Sequence, residues 1–419
     1  MPAASSLVTP FGSDNTATAG APALRWTDGE TPCSALWRSE RGAAPPKRVV
    51  LADDTITADA AYRLACEGTA LLWRGDFQNA RQLLQALVRR VAQPAKRTQR
   101  KQSAKVSMAA EGTSAKPVES VFNLHRQAQA QRARVLGMVL IPIHADLSIP
   151  LRRAPDARQA FTEAWGIANN NDTAGASVVS LRELLGLISA HEWRKKGVEI
   201  AALGAAPNNR IHPHYGVFSP VRGEYVDLVA SALKTTPSTA LAFDIGTGTG
   251  VLAALMARKG VTRVVATDQD PRALACAQDN LNRLGVSAQV QVVQANLFPE
   301  GRAPLIVCNP PWLPARPSSP IEYAVYDEGS RMLLGFLNGL HVHLAPGGEG
   351  WLIMSDLAEH LGLRSRGELL AAIENAGLVV LGRLDAKPLH PKAQDASDPL
   401  HKARAAEVTS LWRLAAKVD

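Results

Sequence analysis

The chain has 419 residues, is 46% hydrophobic and 20% charged, and carries a formal charge of +8 from 46 Lys and Arg against 38 Asp and Glu. That length and composition suit a soluble protein of about two domains that needs no disulfide or metal staple. The four cysteines form no CxxC pair, which argues against a zinc site and a secreted disulfide framework, and no apolar run approaches a membrane span.

Residues 1–45 are rich in Ala, Pro, Ser and Thr, and the expectation is a disordered segment. They carry no charged region followed by an apolar one, so no signal peptide is expected and the location is read as cytoplasmic. Residues 46–200 read as a mostly helical accessory domain. In "DFQNARQLLQALVRRV", Phe77, Ala80, Leu83, Leu84, Leu87, Val88 and Val91 fall on one helical stripe, with Asp76 as N-cap. A flexible basic linker is expected at about 93–118, where "AKRTQRKQSAK" holds Lys96, Arg97, Arg100, Lys101 and Lys105 and no acid. Such a run fits contact with RNA phosphate or a solvated linker. A second helix is expected within "SLRELLGLISAHEWRKKG", residues 180–197.

Residues 201–235 read as a connector that begins in a β-hairpin, two short apolar runs flanking a Gly/Pro/Asn turn. His212 and His214 stand without a carboxylate or cysteine at ligand spacing, so no metal is assigned. From 236 to 419 strands alternate with helical patterns: "ALAFDIG", "RVVATD", "QVQVVQA", "PLIVCN", "EGWLIMS", "GLVVLGRL" and "EVTSLWRL". The fold class is α/β, an open, mostly parallel, Rossmann-like sheet with an antiparallel edge hairpin.

"FDIGTGTGVLAALMARKG" is a strand, a glycine turn and a helix, with Gly246, Gly248 and Gly250 allowing close approach by a ligand. The third glycine comes one residue too soon for the dinucleotide fingerprint. Asp244 before the turn suits a cationic amino-acid group better than a diphosphate. Asp268 ends the next strand at the usual distance for a carboxylate that binds ribose hydroxyls, and Asp270 before Pro271 reads as a helix cap. Asn296 in "QANLFP" can offer its amide to an adenine edge. "LIVCNPPWLP" then sets Asn309, Pro310, Pro311 and Trp312 directly after an apolar strand.

These segments, in this order, resemble class I S-adenosylmethionine-dependent methyltransferases over roughly residues 211–419. "DIGTGTG" looks like their first motif and "NPPW" like the motif of enzymes that methylate a planar nitrogen. "SPVRGEYVDLV" is similar to the segment before the first motif in the HemK family, the release-factor glutamine methyltransferases, with Arg222 and Glu224 in matching places. The resemblance implies cofactor contacts at Asp244, Gly246, Thr247, Gly248, Gly250, Asp268, Asn296 and Glu224. It implies catalysis by the Asn309–Trp312 turn. Trp312 stands where that family has tyrosine, and Asn296 where an acid is usual.

A carboxamide or aryl amine nitrogen is a weak nucleophile with two hydrogens. The Asn309 side-chain oxygen and the Pro310 carbonyl can hold both, and Trp312 can offer a flat face. The prolines fix φ and remove two donors, which stiffens the turn. The expected function is therefore N-methylation of a protein glutamine in a release factor or ribosomal protein. The alternative is an exocyclic amine of ribosomal or transfer RNA. A non-catalytic binding module, or a dehydrogenase, would want a damaged glycine turn, a lost Asn309 or a hydride-transfer site.

Overall fold

The chain divides into two compact units, Met1–Ala115 with Arg126–His191, and Lys116–His125 with Glu192–Asp419. The computed structural model describes residues 22–108, 118–166, 175–235, 240–317, 320–388, 395–396 and 398–417. Among these, no helix is long and apolar enough to cross a membrane.

The first unit holds strands β1 (Ala23–Asp28), β2 (Thr31–Arg38), β3 (Arg48–Ala52), β4 (Thr69–Trp73), β5 (Val139–Ile143) and β6 (Ser177–Ser180). They form one mixed sheet of order β1-β2-β6-β5-β4-β3. Its helices are α1 (Ala58–Cys66), α2 (Phe77–Met108), α3 (Val118–Leu136), α4 (Arg158–Trp165) and α5 (Leu181–Lys196), of which α3 and α5 run across the boundary between units. The expectation of a mostly helical domain is corrected here: the helices accompany a six-stranded sheet. β4, β5 and β6 are four- or five-residue runs buried throughout, and so short an apolar run has no period that separates strand from helix.

Two further expectations change. β1 and β2 lie within 1–45, so the disorder expected there does not reach them; residues 1–21 lie outside the described residues. The basic stretch continues α2 to Met108 instead of forming a flexible linker, because Ala, Lys, Arg and Gln are strong helix formers; 109–117 lie outside the described residues. The α2 stripe buries Phe77, Ala80, Leu83, Leu84 and Leu87, and Asp76 accepts the Gln78 N–H at 2.8 Å.

In the second unit β7 (Val198–Glu199) and β8 (Arg210–Ile211) pair antiparallel. They lead into α6 (Glu224–Leu233), β9 (Leu241–Ile245), α7 (Val251–Arg258), β10 (Arg263–Asp268), α8 (Pro271–Arg283), β11 (Val290–Gln294) and β12 (Ala303–Cys308). Then follow α9 (Arg331–His343), β13 (Leu344–Ser355), α10 (Leu357–His360), α11 (Arg366–Asn375), β14 (Leu378–Ala386), α12 (His401–Ala406) and β15 (Thr409–Ala416). The connector and the catalytic sheet, expected as separate regions at 201–235 and 236–419, belong to this one unit.

The sheet order is β11-β10-β9-β12-β13-β15-β14. The first five strands are parallel, and β15 runs antiparallel between β13 and β14. Successive residues point to opposite faces, and both faces are covered, so the strands read as nearly continuous apolar runs. Ala242, Leu305, Val307 and Ile353 pack with α6 and α7 residues, while Phe243, Ile245, Ile306, Cys308 and Met354 pack with α9 and α11 residues.

Candidate functional site

The strand order reverses at β9, with β10 on one side and β12 on the other. Such a reversal opens a crevice at the carboxyl ends of the strands. Ile245 pairs with both Thr267 and Cys308. Gly246, Asp268 and Asn309 are therefore the next residues on three adjacent strands. Three of the sequence's candidates, 63 residues apart at the extremes, meet by register alone.

The turn after β9 places Gly246, Gly248 and Gly250 at φ of 72°, 55° and 79°, the left-handed region that disfavours a side chain. A Cβ on Gly250 would lie 3.1 Å from the Ala277 Cα, so this glycine lets the turn sit on α8. A Cβ on Gly248 would meet nothing within 4 Å, so this glycine faces open space. Asn280, buried on α8, donates its amide to the Thr249 carbonyl at 3.1 Å and accepts the His212 N–H at 2.7 Å. It ties the connector to the turn. In the sequence it signals itself only as a polar residue on an apolar helix face.

Asp244 lies on the α6/α7 face of β9 and is buried. Its Oδ2 accepts the Thr247 hydroxyl at 2.6 Å and the Ala253 N–H at 3.1 Å. Burial pushes its carboxyl up to about 6, against the pull of those two donors. Thr247 thus turns its hydroxyl to Asp244, and its N–H donates to the Thr267 carbonyl at 2.8 Å. Asp268 accepts the Gly248 and Asp270 N–H groups, each at 3.0 Å, and burial raises its carboxyl as well. Glu224 opens α6. The next residue, Tyr225, is buried, and its hydroxyl is pushed up by burial and then by the charges of Asp244 and Glu224. One Glu224 oxygen, Oε1, is buried without a hydrogen-bond partner. None of these three carboxylates makes an ion pair among the described residues.

On the β12 side Asn309 is half-buried and Pro310 buried, with Pro311 and Trp312 half-buried. The Trp312 indole N–H donates to the Asn309 Oδ1 at 3.0 Å. The indole also packs against both cores of the sheet. Arg364 donates to the Trp312 carbonyl at 3.3 Å and holds the turn from below; nothing in its spacing marks it in the sequence. Asn296 is exposed two residues past β11, and the Ala295 N–H before it donates to the Asp268 carbonyl. The two histidines are engaged elsewhere: His212 Nδ1 faces the Arg194 carbonyl at 2.7 Å and His214 Nε2 faces Asp279 at 3.2 Å. Cys308 is buried within the sheet, where burial drives its thiol well above the usual range.

Residues 208–362, which span the glycine turn, the Asn309 turn and the Arg222–Glu224 segment, match the family model of the methyltransferase small domain. This region is similar to that family. The chain is 40% identical over 143 residues to the ribosomal protein L11 methyltransferase of Pelotomaculum thermopropionicum, covering 34% of this chain and 39% of that protein. It is 33% identical over 177 residues to the release factor glutamine methyltransferase of Cereibacter sphaeroides, covering 40% of this chain and 58% of that protein. The match thus spans less than two thirds of either relative. Among solved structures, a ribosomal protein L11 methylase from Lactobacillus delbrueckii subsp. bulgaricus aligns with a TM-score of 0.35 at 17% identity, over 51% of this chain and 90% of that one. The first unit lies outside the residues that match the methyltransferase domain model.

Proposed function

We propose that the chain is an S-adenosylmethionine-dependent N-methyltransferase whose acceptor is the side-chain carboxamide of a protein glutamine. The observation that carries the reading is that Asp244 and Asp268 at the strand ends, with Glu224 beside Tyr225 at the start of α6, make no ion pair among the described residues. Such a field repels a diphosphate and attracts a cation. The cofactor fits the residues present: Gly248 leaves space where a side chain would stand, and Glu224 keeps a buried oxygen unpartnered. Asp268 would hold ribose hydroxyls and Glu224 the amino group, with Asp244 adding charge from behind the turn. When bound, S-adenosylmethionine supplies an electrophilic methyl group on a sulfonium.

The chain's own part is positioning. Asn309 Oδ1 has two lone pairs, and Trp312 uses one, which orients the amide. The other, together with the Pro310 carbonyl, can accept the two hydrogens of a carboxamide nitrogen. Both acceptors favour the positive charge that grows there during transfer. Relatives named for a release factor and for a ribosomal protein support a protein acceptor in translation.

The test incubates the full chain with radiolabelled S-adenosylmethionine and a cell extract, then separates protein from RNA. Label is expected in a discrete protein band that yields N5-methylglutamine on complete enzymatic digestion and labelled methylamine on acid hydrolysis. Asn309→Ala should lose the label while binding S-adenosylmethionine as well as the wild type does. Label in RNA would overturn the acceptor, and full transfer by Asn309→Ala would overturn its role.

A further inference from the structure

Glu407 is 1% exposed and stands between α12 and β15, two residues before the strand that runs antiparallel to its neighbours. Its Oε1 accepts from Arg222 Nη1 at 3.1 Å and from the Ser355 hydroxyl at 2.7 Å. Ser355 ends β13 and its Oγ in turn accepts the Leu357 N–H at 3.0 Å. The second Glu407 oxygen, Oε2, and the Thr409 hydroxyl beside it are buried without partners. A buried ion pair with an orphaned oxygen is a poor way to stabilise a sheet, since apolar residues of similar volume do as well or better. Its placement needs another reason.

Arg222 supplies one. It precedes Gly223, the N-cap of α6, whose carbonyl accepts the Val226 and Asp227 N–H groups. Glu224 is the next residue. Fixing the Arg222 guanidinium on Glu407, just before β15, therefore fixes where α6 begins and where Glu224 and Tyr225 stand, the latter near Asp244. The same carboxylate fastens Ser355 on β13, the strand paired with β12, where Cys308 opposite Leu352 leads into Asn309. We infer that Glu407 is a positioning residue of the cofactor site, acting through Arg222 to hold Glu224 in place. The inference rests on the methyltransferase reading of that crevice. Nothing in the spacing of the sequence joins positions 222 and 407.

The test uses the full chain with S-adenosylhomocysteine as probe, its affinity measured by calorimetry and unfolding followed by thermal melting. Glu407→Gln keeps the volume and one acceptor but drops the charge that holds Arg222; affinity should fall roughly tenfold, and the uncompensated guanidinium should also lower the melting temperature. The double variant Arg222→Met/Glu407→Leu removes the buried pair altogether. It should melt at or above the wild-type temperature and still bind about tenfold more weakly. Wild-type affinity in that double variant would overturn the inference, because a merely structural pair is replaceable. Should the double variant not fold, Glu407→Gln decides alone, and unchanged affinity there would overturn it. A wild-type chain that does not bind the probe at all would sink the methyltransferase reading and this inference with it.

Discussion

Both units end parallel strands in acidic turns, yet they treat the acids in opposite ways. In the first unit Asp54 and Asp76 sit past β3 and β4. Asp76 accepts from Arg153 Nε at 2.6 Å, Arg152 Nε at 3.0 Å and the Gln78 N–H, and its own N–H donates to Asp54. The Arg153 hydrogen bond leads in drawing its carboxyl down to about 2. In the second unit Asp244 and Asp268 are raised by burial and make no ion pair among the described residues. The glycines tell the same story. A Cβ on Gly75 would run into the Asp54 side chain and come within 2.9 Å of its backbone nitrogen, whereas one on Gly248 would meet nothing. The first edge is closed on itself, and the second leaves space beside Gly248.

The largest expected effect follows from that contrast. Gly248→Val fills the open space and forces a branched residue to a φ of 55°. Binding of S-adenosylmethionine should fall by more than about 100-fold, close to the loss of the whole contact. Gly75→Ala should leave that affinity alone and destabilise the first unit by ~1–3 kcal/mol through overpacking. Calorimetry and thermal melting on both variants check the pair, and weaker cofactor binding in Gly75→Ala would break the distinction.

Next in size are opposite responses to pH. The Asp76 carboxyl is lowered in the folded chain, so its contribution is present above the unfolded value near 3.8 and lost as pH falls toward about 2. The Asp244 carboxyl is raised, so the reverse holds. Its contribution is complete below about 3.8 and is lost as pH rises through about 6, an effect of ~3 kcal/mol. The chain without cofactor should therefore gain stability in the second unit as pH drops from about 7 to about 5. Affinity for S-adenosylmethionine should fall roughly tenfold over that interval as Asp244 becomes neutral. Asp244→Asn should raise the melting temperature at neutral pH and flatten both profiles. A variant with unchanged pH dependence would place the titration elsewhere.

The second unit was legible because its signals are local. Each strand run from "ALAFDIG" to "EVTSLWRL" matches an observed strand to within a few residues, apart from β13, which starts earlier at Leu344. The antiparallel β15 placed beside β14 follows from the expected edge hairpin. The glycine turn and the Asn309 turn depend on backbone geometry that few residue types permit, so their letters carry it. The sheet of the first unit was not legible. Two long helices separate β4 from β5, and β5 even contains Pro142. The arginine and glutamate of positions 222 and 407 meet only in three dimensions, as do Arg364 and the Trp312 carbonyl. Side-chain identity alone also left open what Trp312 does with its N–H.

That last question gives the smallest effect and a fine comparison. Each unit has a tryptophan at the carboxyl end of a parallel strand. Trp73, 2% exposed, donates its indole N–H to the Asp76 carbonyl at 3.0 Å, a main-chain acceptor that takes no part in an open site. Trp312, half-buried, donates to the Asn309 side chain, the group proposed to hold the acceptor nitrogen. Phenylalanine keeps a flat ring at either place and removes only the donor. A hydrogen bond of ~1 kcal/mol corresponds to about a fivefold effect. Trp73→Phe should therefore lower the melting temperature and leave transfer intact. Trp312→Phe should lower label transfer to the protein band about fivefold, with melting and cofactor affinity near wild type. Trp312→Ala separates the two roles of the ring. If it transfers no worse than the phenylalanine variant, orientation of Asn309 is the whole contribution. If it is far slower, the face of the indole also carries the acceptor. Wild-type transfer by Trp312→Phe would mean that Asn309 is held by the rigid prolines alone.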